Sequence, residues 1–115
     1  MAASPSVPPL VSVIVPALNA GGTLARALAS VAAQIYPQWE AIVVDDGSSD
    51  DTVVLVERRN DPRFRVLRRS VRGGPSRARN DGIAAARGEA IAFLDADDEW
   101  LPEKLARQVA ALVAH

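Results

Sequence analysis

Apolar positions along the chain follow two alternating rhythms. Val11 to Val15 is an almost continuous β-branched run, interrupted by Ser12 and ended by Pro16 and Asn19. Ala41–Val44 and Ala90–Leu94 are similar runs, and Arg65–Arg68 is a shorter, more polar one. Runs without polar alternation suit strands buried on both faces. Between them, apolar residues recur at helical spacing. Leu24, Leu28, Val31 and Ile35 precede Tyr36-Pro37, and Val53, Leu55 and Val56 precede Asn60-Asp61-Pro62. Leu105, Val109, Leu112 and Val113 follow Pro102 on one helical face. Ser49 or Asp50 is placed to cap the second helix. Another helix is expected from Pro75, suited to a first turn, to Gly88, suited to a C-terminal cap.

The order βαβαβαβα, with short connections, predicts an α/β fold. Its parallel sheet should have about four strands, helices on both faces and right-handed crossovers. Ligands of such sheets bind outside the carboxyl ends of the strands, near the reversal in strand order. The polar clusters after the first, second and fourth strands all fall at that edge.

A length of 115 residues fits one domain, with residues 1–10 as a flexible lead and 11–115 as the folded part. There is no cysteine, and the single histidine is the last residue, His115. Disulfides, thiolate metal sites and cysteine nucleophiles are excluded, and neither a zinc site nor a Ser-His-Asp triad is expected. No apolar run approaches the ~20 residues of a membrane span. The N-terminus lacks the basic and apolar segments of a signal peptide. The expected location is therefore the cytoplasm, with attachment to the inner face of the membrane through other segments or partners as a variant. A net charge of −1 removes the global electrostatic case for nucleic acid as a partner.

The charge is blocked nonetheless. Glu40 to Glu57 holds six acids and no base, and Arg58 to Arg79 holds nine arginines against Asp61. Asp95 to Glu103 holds five acids and no base. Asp95, Asp97 and Asp98 would repel one another unless a cation relieves them, and their oxygen ligands suit Mg²⁺ or Mn²⁺ completed by a diphosphate. The alternative is an acidic turn that favours the positive end of the next helix. Asp45 and Asp46 can accept hydrogen bonds from a nucleobase or ribose, or serve an Asx turn and helix cap, a role that fits Ser49 and Asp50 better. Arg77 and Arg79 stand in a first helical turn, where a cation is unfavourable without an anion. A diphosphate or a salt bridge to Asp81 or the acidic turns would answer that. Trp39 and Trp100 read as packing rather than as stacking platforms.

Several segments together resemble family 2 glycosyltransferases, the inverting enzymes of the GT-A fold that use nucleotide-sugar donors. They are Val11–Asn19, Leu28–Val31, Gln34–Glu40, Val43–Thr52, Gly74–Asn80 and Gly88–Asp98, in the family's order and spacing. The resemblance implies a Rossmann-like half-domain that binds a nucleotide-sugar donor, with a UDP-sugar foremost. The turn Pro16, Ala17, Leu18, Asn19 and Asp46 would frame the base, with Asp45 close by. Asp95 would lie near the ribose or a metal-bound water, Asp97 would hold Mg²⁺ or Mn²⁺ on the diphosphate, and Arg77 or Arg79 would line the pocket. The acceptor, a glycan, lipid or protein, would attack with inversion.

Two positions depart from the family pattern: Leu18 replaces a frequent Tyr, and Arg72 a common Asn. Nothing after Trp100 supplies a catalytic base, and the family's acceptor-binding second half has no counterpart. The chain is therefore expected to be the donor-binding half of a larger enzyme. Apolar surface and an open strand edge left by that half would promote self-association or low stability. Two other readings are a non-catalytic nucleotide-binding module and a phosphoacceptor receiver domain. The latter lacks its acids after the first strand and its lysine after a fifth, since the only lysine, Lys104, is on the last helix.

Overall fold

The first strand, β1 (Val11–Ala17), lies inside a sheet and is hydrogen-bonded on both edges. The structure is a computed structural model that describes residues 8–113. Most of the expected lead, and His115, lie outside the described residues. Pro9, within the expected lead, is buried, and its carbonyl accepts the Tyr36 hydroxyl.

After β1 come α1 (Leu24–Ala32), β2 (Trp39–Asp45), α2 (Thr52–Arg58) and β3 (Phe64–Arg68). They are followed by α3 (Pro75–Ala85), β4 (Ala90–Phe93) and α4 (Lys104–Val113). All strand pairs are parallel, in the order β3-β2-β1-β4. Helices α1, α2 and α4 contribute Leu24, Leu28, Val31, Val56, Leu105 and Val109 to the core on one face. On the other face, Ala78 of α3 packs with Ile14, Ile42 and Val44. The chain reverses direction across the sheet after β3, so crossovers of one hand put α3 opposite α1 and α2.

Several boundaries differ from the sequence reading. Pro16 does not end β1, which continues to Ala17 in register with Asp45. Ile35 lies beyond α1 and is 64% exposed, because the helix stops at Ala32 and the Ile35 N–H bonds Pro102 O. Gly88 does not cap α3, whose C-cap is Ala86. Glycine is needed there for close approach: a Cβ would lie 2.7 Å from Leu10 O and the Ser12 nitrogen. On α4, Leu105 and Val109 are buried but Leu112 is exposed. Both tryptophans do pack. Trp39 is buried edge-on to Phe64, and Trp100 is half-buried against the core.

Ser12, the polar residue inside β1, has a structural reason. Its hydroxyl donates to Glu40 Oε2 at 2.5 Å and accepts the Gly88 N–H at 2.8 Å. Burial alone would raise the Glu40 pKa. The Ser12 hydroxyl, the Arg87 N–H and the charge of Arg65 outweigh burial and hold it low. This network closes the amino end of the sheet, opposite the carboxyl ends of the strands. One edge of β4 has no strand partner among the described residues, and Phe93 there is 46% exposed. No helix of the described residues is long and apolar enough to cross a membrane.

The small inward face of α3 lets it sit close to the sheet. A Cβ on Gly82 would collide with Ile14 and stand 3.2 Å from Val44 Cγ2. Gly82→Ala is expected to cost about 1–3 kcal/mol through overpacking, more than the ~1 kcal/mol gained in helix propensity. Urea denaturation checks this. A variant as stable as the parent would mean that α3 does not press on Ile14.

Candidate functional site

The strand order reverses at β1, and β1 and β4 part there. β4 pairs with β1 only as far as Phe93 opposite Ile14, whereas β1 runs on to Ala17 beside β2. A cleft of about 740 Å³ opens between their carboxyl ends. That is the size and position expected of a small-molecule site in this architecture.

The segments that follow all four strands build the cleft. Pro16, Ala17, Leu18 and Asn19 line it from β1, Asp46 from β2, and Asp95 and Asp97 from the turn after β4. Arg79 lines it from α3, and its Nη2 lies 3.5 Å from Asp95 Oδ1. Two of the residues singled out from sequence stand apart. Asp45 is buried behind the cleft, where its Oδ1 accepts the Ser48 N–H at 3.3 Å, so the turn-forming role falls to it as well as to Asp50. Arg77 is exposed on α3 and does not line the cleft. Arg72 and Ala96 also line it, as do Gly74 and Pro75 of the Gly73-Gly74-Pro75-Ser76 segment, which by sequence has the look of a phosphate-cradling loop ahead of a helix. Arg72 was visible only as a departure from a pattern, since an arginine before two glycines has no intrinsic signature.

The β1–α1 loop is tied to the β2–α2 loop by a zipper of hydrogen bonds. Asn19 adopts a positive φ of 49°, which brings its N–H within 2.8 Å of Ser48 Oγ. Its Oδ1 accepts the Ser49 N–H at 2.8 Å. The Ala20 N–H bonds Thr52 Oγ1 at 2.9 Å, and the Gly21 N–H bonds Asp50 Oδ2 at 2.9 Å. Asp50 also accepts the Thr52 N–H and hydroxyl, so the expected cap appears as an Asx turn ahead of α2. Residues that read as a simple turn and cap thus clamp one wall of the cleft. The long-range partners could not be read from local pattern.

Asp46 is almost fully buried. Its Oδ1 accepts from Gly73 N and Arg69 Nε, each at 3.0 Å, and its Oδ2 accepts from Gly74 N at 2.9 Å. The Gly73 N–H is the largest influence holding its pKa below the ordinary value. The Gly74 N–H and Arg69 add to it, against the opposing effect of burial. The acidic turn is anchored at both ends: the Leu94 N–H bonds Ile14 O, and Gln34 reaches across from the segment just after α1. Gln34 Nε2 donates to Leu101 O at 2.7 Å, and its Oε1 accepts the Leu105 N–H at 3.0 Å in the first turn of α4.

Among the described residues, no three His, Cys, Asp or Glu side chains gather to enclose a metal. Asp95 and Asp97 are exposed and offer hard carboxylate oxygens on one side of the cleft. Such a donor set fits Mg²⁺ or Mn²⁺ when ligand oxygens complete the shell.

The model of the family described as Glycosyl transferase family 2 matches residues 12–115. The chain belongs to this family. One family relative is the UDP-Glc:alpha-D-GlcNAc-diphosphoundecaprenol beta-1,3-glucosyltransferase WfgD of Escherichia coli. It is 40% identical over 104 residues, which cover 90% of this chain and 41% of that protein. The succinoglycan biosynthesis protein ExoO of Rhizobium meliloti is 45% identical over 101 residues, 88% of this chain and 29% of the relative. S. aureus TarS 1-349 in complex with UDP-GlcNAc superposes with a TM-score of 0.87 at 36% identity, over 92% of this chain and 32% of that one. The mannosyltransferase PcManGT of Pyrobaculum calidifontis, in complex with GDP-Man and Mn²⁺, gives 0.83 at 32% identity, over 92% and 33%. The chain therefore spans 29% to 41% of the length of these relatives. The GT-A expectation for the fold is met by these structures.

Thr52→Val keeps the shape at α2 but leaves the Ala20 N–H unpaired, so a loss of about 1–3 kcal/mol is expected. Faster hydrogen exchange at Ala20 checks it, and unchanged exchange would remove Thr52 from the clamp. Acid acts on Asp46 with a definite sign. Its folded-state pKa is lowered, so its contribution is present above about pH 4 and lost as pH falls through the folded value. Asp61, held low first by the Arg63 side chain, acts in the same direction. Denaturation between about pH 7 and about pH 3 should show stability falling with acid, and Asp46→Asn should flatten that fall.

Proposed function

We propose that this chain forms the donor site of a metal-assisted, inverting glycosyltransferase, with a UDP-sugar as donor. The observation that carries the reading is the cleft at the strand reversal, with buried Asp46 on one wall and the paired carboxylates Asp95 and Asp97 on the other. A nucleoside diphosphate has the same polarity, with a hydrogen-bonding base at one end and an anion at the other. The complexes of TarS with UDP-GlcNAc and of PcManGT with GDP-Man and Mn²⁺ support the same reading.

In this reading Asp46 accepts an N–H of the base, and Pro16 to Asn19 with Arg72 bound the pocket around it. Leu18 offers an apolar contact where an aromatic ring would stack. Arg79 balances Asp95 and stands near the diphosphate. Asp97, with Asp95, would hold Mg²⁺ or Mn²⁺. The bound metal would supply Lewis-acid neutralisation of the departing nucleoside diphosphate. An acceptor hydroxyl would attack the anomeric carbon opposite the leaving group, forming the new glycosidic bond as the bond to the diphosphate oxygen breaks. Its proton would pass to a base outside residues 8–113, because Asp46 is engaged in the loop and Asp95 and Asp97 would hold the metal.

Calorimetric titration of UDP, GDP and dTDP, with and without Mn²⁺, tests the reading on the parent chain and on Asp97→Ala. UDP should bind best, Mn²⁺ should strengthen it, and Asp97→Ala should abolish the metal dependence. Binding that ignores Mn²⁺ would remove the metal role, and no binding of any nucleotide would remove the donor site.

A further inference from the structure

We propose that Arg69 is a positioning residue of the donor site, acting through Asp46; the inference rests on the donor-binding reading above. Arg69 does not line the cleft, so it does not touch a ligand there. It sits one residue beyond β3 with its side chain 18% exposed, and its N–H bonds Asp45 O at 2.8 Å. The backbone of Arg69 is thereby fixed to the end of β2, next to the residue it serves.

The guanidinium is held from two sides. Its Nε donates to Asp46 Oδ1 at 3.0 Å, and Nη1 pairs with Asp81 on α3. Gly73 leaves the space that it fills, since a Cβ there would lie 2.5 Å from Arg69 Nη2. A planar fork pinned at both ends has one orientation, which a lysine ammonium would not reproduce.

A carboxylate offers about four acceptor positions. Gly73, Gly74 and Arg69 occupy three of those on Asp46, which leaves one for a ligand in the cleft that Asp46 lines. Arg69 thus turns a buried, acceptor-only group into a reader with one remaining direction. Without it, Asp46 keeps its loop amides but loses the bond that fixes its rotation and the charge that balances it.

The reader's chemistry supplies the test. Uracil presents a ring N–H where cytosine presents an acceptor nitrogen, so an aligned Asp46 favours UDP over CDP. Both nucleotides are titrated calorimetrically, with Mn²⁺, into the full chain and into Arg69→Met, Arg69→Lys and Asp81→Asn, with circular dichroism as the check on folding. The parent should prefer UDP, and Arg69→Met should lose about tenfold of that preference. Arg69→Lys should recover part of it, and Asp81→Asn should lose a smaller share. Equal weakening of UDP and CDP would show a purely structural role and overturn the proposal, as would an unchanged preference in the variants. A parent that binds both nucleotides equally overturns it too, while leaving the donor site standing. A parent that binds neither removes the donor-site reading and the proposal together. If Arg69→Met does not fold, Arg69→Lys and Asp81→Asn decide by the same ratio.

Discussion

β1 is bonded to β2 on one edge and β4 on the other, with helices over both faces, so Val11 to Val15 are sealed from water. Only its carboxyl end escapes this enclosure. The chain must leave β1 in one direction to reach β2 and β3, then return past it to reach β4. The helix that leaves β1 and the helix that leads into β4 therefore lie on opposite faces, and the cleft opens at the carboxyl ends where the order reverses. The particular residues decide what the cleft can hold.

Charge arranges those residues. The acidic block and the basic block that follows it in sequence meet in space, through Glu40 with Arg65 and Asp46 with Arg69. The third block joins through Asp95 and Arg79. None of these pairs adds much net stability: desolvation offsets attraction in the two more buried ones, and solvent screens the exposed Asp95–Arg79 pair. Their effect is geometric: they set where the β3–α3 loop and the first turn of α3 stand relative to β2. The side of the cleft built by Asn19, Ser48, Asp50 and Thr52 is set by neutral or singly charged hydrogen bonds instead.

Much of this fold was legible because β1, β2 and β4 are runs of apolar residues without polar alternation, whereas the helices are apolar on one side. Alternation, proline and glycine placed every element, and the parallel arrangement followed from the alternation of types. Errors fell at the ends. Ile35 fits the period of α1, but Gln34 and Ile35 bond instead to the segment leading into α4. Gly88 has the composition of a cap, but what selects glycine there is the nearness of β1, a contact between residues far apart in sequence. At the site, Asp46, Asp95, Asp97 and Arg79 were readable as polar residues at strand ends or a helix start. Arg69, Arg72 and the Asn19 zipper were not, since each depends on which loops become neighbours.

Gln34 also determines how the acidic turn can move. It spans from the end of α1 to the first turn of α4, while the Leu94 N–H holds the other end of the turn to β1. Asp95, Asp97 and Asp98 thus hang between two fixed posts, like a bridge deck between piers. Any bending of the turn between them is then local and leaves both abutments, and the sheet behind them, in place.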